Sequence, residues 1–442
     1  MGMILLLAAF SGFFYLLLPG LGAFVVRSRW RRFRSALVEA STCPRIDYGT
    51  LRSEKTGEGG RRFRFIGALE AIQDDDLLWL RNRELSLSAD MTGQKVFLLP
   101  SAPTGAEGPG DTPAMESPPE EAPTEVSWDR VRSLPEGTRV FVAGSLESRD
   151  GRGVFRSRPG SELLVIFYDG DVESILRRAV WNGRQRNEYW NPFTPAALAA
   201  GTLTGMIFTY FFLKNPPSRI PGILSVGAAL VPVLPFLPPG IFAFLLYRRL
   251  WARARLLRAE RDLVRLPLRF HGEGGGTGTP AAVRAAGGAD GEARPRAAAG
   301  TAARAPWLRA ARAAARTAAR EPVRDVVLPD GERYGCRVHH GSASEILSRG
   351  GSIRSTSRWR PRAGEEADFF WFGIVDDRED SLPGKSSDPF VECVATPGHP
   401  EELARVCEKQ ARRLEALSVL LFFSGFGVNL LLALRFLARL IP

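Results

Sequence analysis

The chain alternates long uncharged apolar stretches with densely charged ones, and the apolar stretches predict its largest elements. Met3–Val26 reads MILLLAAFSGFFYLLLPGLGAFVV. It carries no charge and is long enough to cross a hydrocarbon core of about 30 Å. A cleaved signal peptide would have a basic residue ahead of a shorter apolar core, which this run does not. Phe193–Leu213 and Gly222–Tyr247 are two further runs, joined only by Lys214–Pro221, and so short a connection predicts an antiparallel helical hairpin. A last run extends from Leu417 to Leu437. Residues 3–26, 193–213, 222–247 and 417–437 are therefore predicted to be four transmembrane helices.

Charge changes this picture by giving it a direction. Arg27, Arg29, Arg31, Arg32 and Arg34 follow the first run, and Arg177, Arg178, Arg184 and Arg186 precede the second. Arg248, Arg249, Arg253 and Arg255 follow the third, and Arg412 and Arg413 precede the fourth. Basic residues beside a span stay on the cytoplasmic side. All four clusters fit one topology, with both polar segments cytoplasmic and both termini outside, in a cell membrane, expected to be a bacterial inner membrane. Residues 248–270 read as a basic amphipathic juxtamembrane helix, with Arg248 and Arg249 leading a face suited to anionic headgroups. In WNGRQRNEYWNP, Trp181, Tyr189 and Trp190 accompany Arg184 and Arg186, the composition of a membrane-interface belt.

The runs themselves contain no Asp, Glu, Lys or His, and their one basic residue is Arg435, near the outer end of the fourth. Ion-coupled carriers normally need buried ionisable groups. Gly201 and Gly205 form a small-xxx-small pair, and Asn429 lies on a small, polar face of the fourth run. Pro238 and Pro239, with Pro232 and Pro235, must kink or break the third run, because each removes a backbone donor. Helix packing is the expected role of these residues, and a substrate path is the alternative.

Between the runs the period changes from helical to alternating. Residues 27–192 contain FRFIGALEAI, LLWLR, SLSADM, KVFLLP, TRVFVAG, GVFRSR and LLVIFYDG, short strands with turns between them, including Asp74–Asp76. They predict a small barrel of the five-stranded OB type. Gly67 and Gly144 fall inside strands and predict bends. Residues 101–125 are a Pro/Glu/Ser/Thr-rich tract, expected to be a disordered insertion, and residues 271–321 are a low-complexity Gly/Ala/Arg linker. Residues 322–415 alternate strands with a helix starting near Glu401 and predict a small α+β domain. The fold class that results is a multi-pass α-helical membrane protein of four spans, with a cytoplasmic β-rich OB-like domain and a second small α+β cytoplasmic domain.

Leu134–Gly151, LPEGTRVFVAGSLESRDG, resembles the LPEG-x-x-VYVLG-type strand of GIDE-type membrane proteins. The resemblance closely covers about 20 residues. It implies a transmembrane helix, an OB-like β-domain and a second transmembrane helix, in that order. Ligase members of that family carry a RING, whose cysteines this chain lacks, so ligase activity does not carry over.

Composition adds exclusions. Lys and Arg total 59 against 48 Asp and Glu, a formal charge of +11. No nucleic-acid fingerprint accompanies that charge, so lipid rather than nucleic acid is the expected partner. Four cysteines are too few for a disulfide scaffold and form no C-x-x-C. Cys336, His339, Cys393 and Cys407 could contribute to a zinc site, but buried apolar thiols explain them as well. No nucleophile elbow or phosphate loop is present, and no cofactor is expected. The reading that follows is a non-enzymatic membrane-anchored scaffold or assembly factor with an unidentified cytoplasmic protein partner. A transport component and a tethered metal-dependent enzyme are the alternatives.

Overall fold

The computed structural model describes residues 2–53, 62–74, 76–100, 123–131, 134–149, 152–159, 161–185, 191–214, 219–270, 326–327, 333–349, 351–356, 364, 366–375, 384, 388 and 390–440. They form two compact units. The first gathers residues 1–35, 183–258 and 408–442, and the second residues 36–182 and 259–407.

The first unit is helical. Its N-terminal helix comprises α1 (Gly2–Gly12), a π-helical turn at Phe13–Leu17, and α2 (Leu18–Thr42), which continues past the arginine block. α5 (Phe193–Lys214), α6 (Arg219–Leu230), the first part of α7 (Gly240–Phe270) and most of α9 (Pro400–Leu440) complete the unit, whereas the short helices α3 (Tyr48–Ser53), α4 (Ser174–Gln185) and α8 (Ala343–Ser348) belong almost wholly to the second unit. Among the described residues three helices are long and apolar enough to cross a membrane: Ile4–Thr42, Phe193–Lys214 and Pro400–Arg439.

The third apolar run is not one helix. α6 stops at Leu230, a 3-10 turn occupies Leu234–Phe236, and α7 begins at Gly240 beyond the cis Pro238–Pro239 bond. Four prolines spaced over eight residues cannot supply the N–H groups that a continuous helix needs. At 1.5 Å per residue, α6 is only about 18 Å long and does not cross a bilayer alone. The juxtamembrane stretch 248–270 is the continuation of α7 rather than a separate helix. Of the short hairpin connection, residues 215–218 lie outside the described residues.

The second unit holds two sheets. One has eight strands: β1 (Arg62–Gln73), β2 (Leu77–Arg81), β3 (Ser86–Asp90), β4 (Lys95–Leu98), β5 (Thr124–Ser127), β6 (Arg139–Arg149), β7 (Arg152–Arg156) and β8 (Leu164–Tyr168). Their order is β1-β2-β3-β7-β6-β8-β4-β5, and β1 also pairs with β6, which closes β1-β2-β3-β7-β6 into a barrel-like ring. β1 can serve both neighbours because it changes partner midway. Arg62–Ala68 pair with β6, Ala68–Gln73 with β2, and a bulge falls between Leu69 and Ala71. Gly67 sits at this turnover, where a Cβ would lie 2.6 Å from the Arg81 carbonyl oxygen. The predicted bend at Gly67 is thus present. Gly144 pairs in register with Phe63 and packs under Leu163 instead.

Alternate residues fill the ring: Phe63, Phe65, Leu78, Leu80, Leu87, Val140, Val142 and Phe155 are buried in one cluster with Trp128 and Phe167. The LPEG segment forms the turn into β6, with Gly137 at φ +83° and its N–H donating to the Leu69 carbonyl at 2.8 Å. The acidic insertion ends earlier than the sequence suggested. Residues 101–122 lie outside the described residues, but Thr124 and Glu125 belong to β5, paired with Leu98 and Phe97 of β4.

The other sheet runs β11-β13-β12-β10-β9, built from β9 (Val326–Val327), β10 (Arg333–Ser342), β11 (Ser352–Ile353), β12 (Glu366–Ile374) and β13 (Val394–Pro397). Its two faces bury different clusters. Tyr334, Phe370 and Phe372 lie on one, and Phe369, Trp371, Cys393 and Ala395 on the other. The low-complexity linker, residues 271–321, lies outside the described residues.

Candidate functional site

Exposed large apolar residues are concentrated in the helical unit. Phe24 is 70% exposed, Phe242 72% and Leu431 69%, and neighbours such as Leu16, Leu203, Tyr210 and Leu420 are similar. Outside that unit Tyr48 is the one large apolar residue so exposed among the described residues. Each such side chain left in water would forgo about 1.5–3 kcal/mol of burial energy, so a belt of them calls for a lipid-like surrounding.

Inside this belt the few polar groups are spent on holding helices together. Asn429 of α9 donates from Nδ2 to the carbonyls of Leu234 (2.6 Å) and Leu237 (2.7 Å), and its Oδ1 accepts from the Gly240 N–H at 3.3 Å. One amide thereby bonds three backbone groups at the break in the third run, adding to the backbone bonds that the Leu234 and Leu237 carbonyls accept from the Leu237 and Ile241 N–H groups. Gly425, one turn earlier on α9, lets the helices meet, because a Cβ there would press on Ala243. Gly201 packs under Tyr15 and Phe14, and Gly205 against the Ala229 backbone of α6, where any side chain would collide. Of the sequence-named residues, Gly201, Gly205 and Asn429 lie at close helix–helix contacts, whereas Pro238 and Pro239 are exposed at the break between α6 and α7. The hairpin adds a bond between Thr209 Oγ1 and Ser225 Oγ at 2.9 Å.

Asn191 went unnoticed as an individual residue. Its Nδ2 donates to the Pro19 carbonyl at 3.1 Å, and its Oδ1 accepts from the Phe193 N–H at 3.0 Å, capping α5 onto the N-terminal helix. Its signal was an Asn two residues before an apolar helix, a capping residue hidden within an aromatic-rich elbow.

The arginines divide into two kinds. Arg27, Arg29, Arg31, Arg32, Arg248, Arg249, Arg253 and Arg413 are exposed beside the apolar stretches and make no ion pair among the described residues. Others are structural. Arg258 pairs with Glu415 at 2.5 Å, and Arg255 stacks on Trp251. Arg178, counted from sequence as a topology signal, is buried, donating to Asp169 Oδ1 at 2.7 Å and to the Asp169 carbonyl at 2.6 Å. Trp181 also departs from its expected interfacial role: it is only 6% exposed, within the two-sheet unit. The helix α4 that carries it is amphipathic and turns Ile175, Leu176, Ala179 and Val180 inward with it. Arg186, Tyr189 and Trp190 lie outside the described residues, as does the Arg184 side chain.

Within the two-sheet unit, the second sheet and the barrel are joined by a clasp. Arg64 of β1 forms a buried ion pair with Asp388. Phe390 stacks on Phe141 of β6 at 4.8 Å and lies beneath the Arg64 guanidinium at 5.2 Å. Asp388 Oδ1 also accepts from the Phe390 N–H at 2.9 Å, which fixes the segment. The barrel strand β6 is buried on both faces for this reason: Val140 and Val142 face the barrel core, and Phe141 and Ala143 face outward and are equally covered.

The thiol and imidazole candidates do not converge. Cys336 pairs in register with Phe372 and belongs to that face, whereas His339 pairs with Phe369 on the opposite face. A strand turns successive side chains to opposite sides, so a C-x-x-H spacing on β10 separates its two ends. Cys393 accepts from the Trp371 indole N–H, and Cys407 on α9 approaches Glu260 Oε2 of α7 at 4.0 Å. His399 caps α9, accepting from the Glu401 N–H at 3.3 Å. Burial raises the Cys336 thiol to about 12 and Cys393 to about 11, the latter despite the indole bond. Such thiols are protonated and poor nucleophiles or ligands at neutral pH. Among the described residues no group of three or more His, Cys, Asp and Glu side chains could hold a metal ion.

Comparison with protein-family models, with curated proteins and with solved structures finds no match. The class therefore follows from the molecule itself: three helices long and apolar enough to cross a membrane, in one chain with a unit of two β-sheets, one of them barrel-like.

Proposed function

We propose that this chain is a multi-pass protein of the cell membrane, serving as a non-enzymatic scaffold or assembly factor whose two-sheet unit binds a cytoplasmic protein partner. The observation that carries the reading is the contrast within one molecule: an apolar belt of exposed side chains, followed along α2 and α7 and preceded along α9 by exposed arginines, most of which make no ion pair among the described residues. In this reading the third run completes a fourth, broken crossing through α6 and the first turns of α7. These arginines rest on anionic headgroups. The five-stranded ring is an OB-like domain, as the resemblance of Leu134–Gly151 to GIDE-type proteins suggests.

Cysteine labelling tests the orientation. The native thiols Cys43, Cys393 and Cys407 are buried, and the partly exposed Cys336 is first replaced by Ala to leave a quiet background. Thr92→Cys and Ser344→Cys, both at exposed positions, should react with an impermeant maleimide only in permeabilised cells. Ala438→Cys, near the end of α9, should react in intact cells. The reverse pattern removes the proposal. The scaffold role is then tested by crosslinking in intact cells: one recurrent partner attached through the two-sheet unit is expected, and none if the unit has no partner.

A transport role is the second reading, favoured by the broken third run alone. It requires solute flux in proteoliposomes that Pro238→Ala/Pro239→Ala abolishes. The scaffold reading requires none.

A further inference from the structure

Helix α9 begins at Pro400, which has no N–H, so the first amide at its positive end that needs an acceptor belongs to Glu401. His399 supplies that acceptor. Its carbonyl takes the first turn's bond from the Leu403 N–H at 3.1 Å, and its Nδ1 accepts from the Glu401 N–H at 3.3 Å. An imidazole thus stands where helices usually carry Ser, Thr, Asn or Asp. Its place is fixed from the sheet side. Gly398, at φ +97°, turns the chain out of β13, and Thr396 Oγ1 donates to the Gly398 carbonyl at 3.1 Å. The Phe370 ring of β12 meets the imidazole edge-on, with centroids 5.1 Å apart.

Only an unprotonated Nδ1 can accept this bond. A proton there would aim one donor at another and set a positive charge at the positive end of the helix dipole. On α9 itself Glu401 and Glu402 complement that dipole, and Glu401 turns along the helix to Arg405 at 3.4 Å. On the sheet face that carries Phe370, Asp368 of β12 is paired with His340 of β10, and Cys336 and Tyr334 keep their protons because burial raises both. β13 contributes the uncharged Thr396 and Pro397, and α7 contributes Glu260, which lies by Cys407, two turns along α9. His340 strengthens its contact on protonation whereas His399 loses its bond, so the two answer acid with opposite signs. We propose that His399 is a pH-sensitive cap: unprotonated it holds the first turn of α9 closed beside the second sheet, and protonated it lets that turn open. The capped state binds no proton at Nδ1, so its stability is whole above the ordinary imidazole value near pH 6.5 and is lost as pH falls through it. The turn is therefore closed at pH 8 and opens towards pH 5.5. The inference stands apart from the scaffold reading and needs neither its topology nor its partner.

The test is hydrogen exchange read by mass spectrometry on the full-length protein in a neutral maltoside detergent, with rates corrected for the intrinsic effect of pH. Amides of the first turn, Glu401–Ala404, should lose protection by about fivefold or more between pH 8 and pH 5.5, measured against those of β12, the scale of one lost cap. His399→Asn supplies a cap that does not titrate and should hold the turn equally at both pH values. His399→Ala supplies none and should leave the turn equally open at both. His340→Gln removes the neighbouring imidazole and should keep the wild-type response. Equal wild-type protection at the two pH values overturns the proposal. So does a response in His399→Asn as large as that of the wild type, or loss of the response in His340→Gln.

Discussion

Asn429 shows how much a single polar side chain can decide inside an apolar unit. Replacing it with Leu removes the side-chain donor to the Leu234 and Leu237 carbonyls, which keep only their backbone donors, and the acceptor for the Gly240 N–H at once. Hydrogen bonds between membrane helices are worth about 0.5–2 kcal/mol each, so Asn429→Leu should lower the unfolding free energy by about 1–3 kcal/mol in a mixed-micelle denaturation series. A neutral result would mean that the break is stabilised by packing alone. Arg64 poses the complementary case, a charge pair buried in the two-sheet unit. Arg64→Met leaves Asp388 without its counter-ion and should cost about 3–5 kcal/mol, while Arg64→Met/Asp388→Leu should recover most of that. Loss in the double variant as large as in the single would show that the pair is not what holds the clasp. The thiols make a pH prediction. Cys336 and Cys393 hold their protons in the fold to about 12 and about 11, whereas an unfolded chain releases them near 9. The native state then binds more protons than the unfolded one, so stability is full below pH 9 and falls as pH rises towards 11. Cys336→Ala/Cys393→Ala should flatten that decline in a chemical denaturation series, and an unchanged slope would assign the decline to other groups.

At the scale of elements, legibility followed the range of the interaction. Long apolar runs announce themselves in any window of about 20 residues, and three of them are long helices here. The strands of the ring were equally readable, because Phe63, Phe65, Leu78 and Leu80 alternate with outward residues. The prolines showed that the third run had to break, but not what would meet the freed groups, since Asn429 is 192 residues from Leu237. The clasp was invisible for the same reason, with 324 residues between Arg64 and Asp388. Trp181 was misread because an aromatic beside an arginine looks the same at a membrane interface and on the buried face of α4. Strand β5 was obscured by the acidic composition that precedes it. Edge strands tolerate such residues, and Glu125 indeed pairs with Lys95 at 2.9 Å.

For the molecule as a whole, the decisive contrast lies between side chains that shun water yet stay uncovered and a two-sheet unit that covers its own. The unit keeps Phe65, Phe141, Phe155 and Trp371 at 1% exposure or less, whereas Phe242 on the first turn of α7 is 72% exposed. A chain that can bury aromatics so completely in one part leaves them uncovered elsewhere only if another solvent receives them. The most direct measurement is carbene labelling of native membranes with a reagent dissolved in the lipid phase, followed by peptide mass spectrometry. Adducts should fall on Leu5–Val25, Phe193–Leu246 and Leu417–Phe436 and spare the two sheets. Adducts spread evenly over both units, or none on those three stretches, would contradict the account.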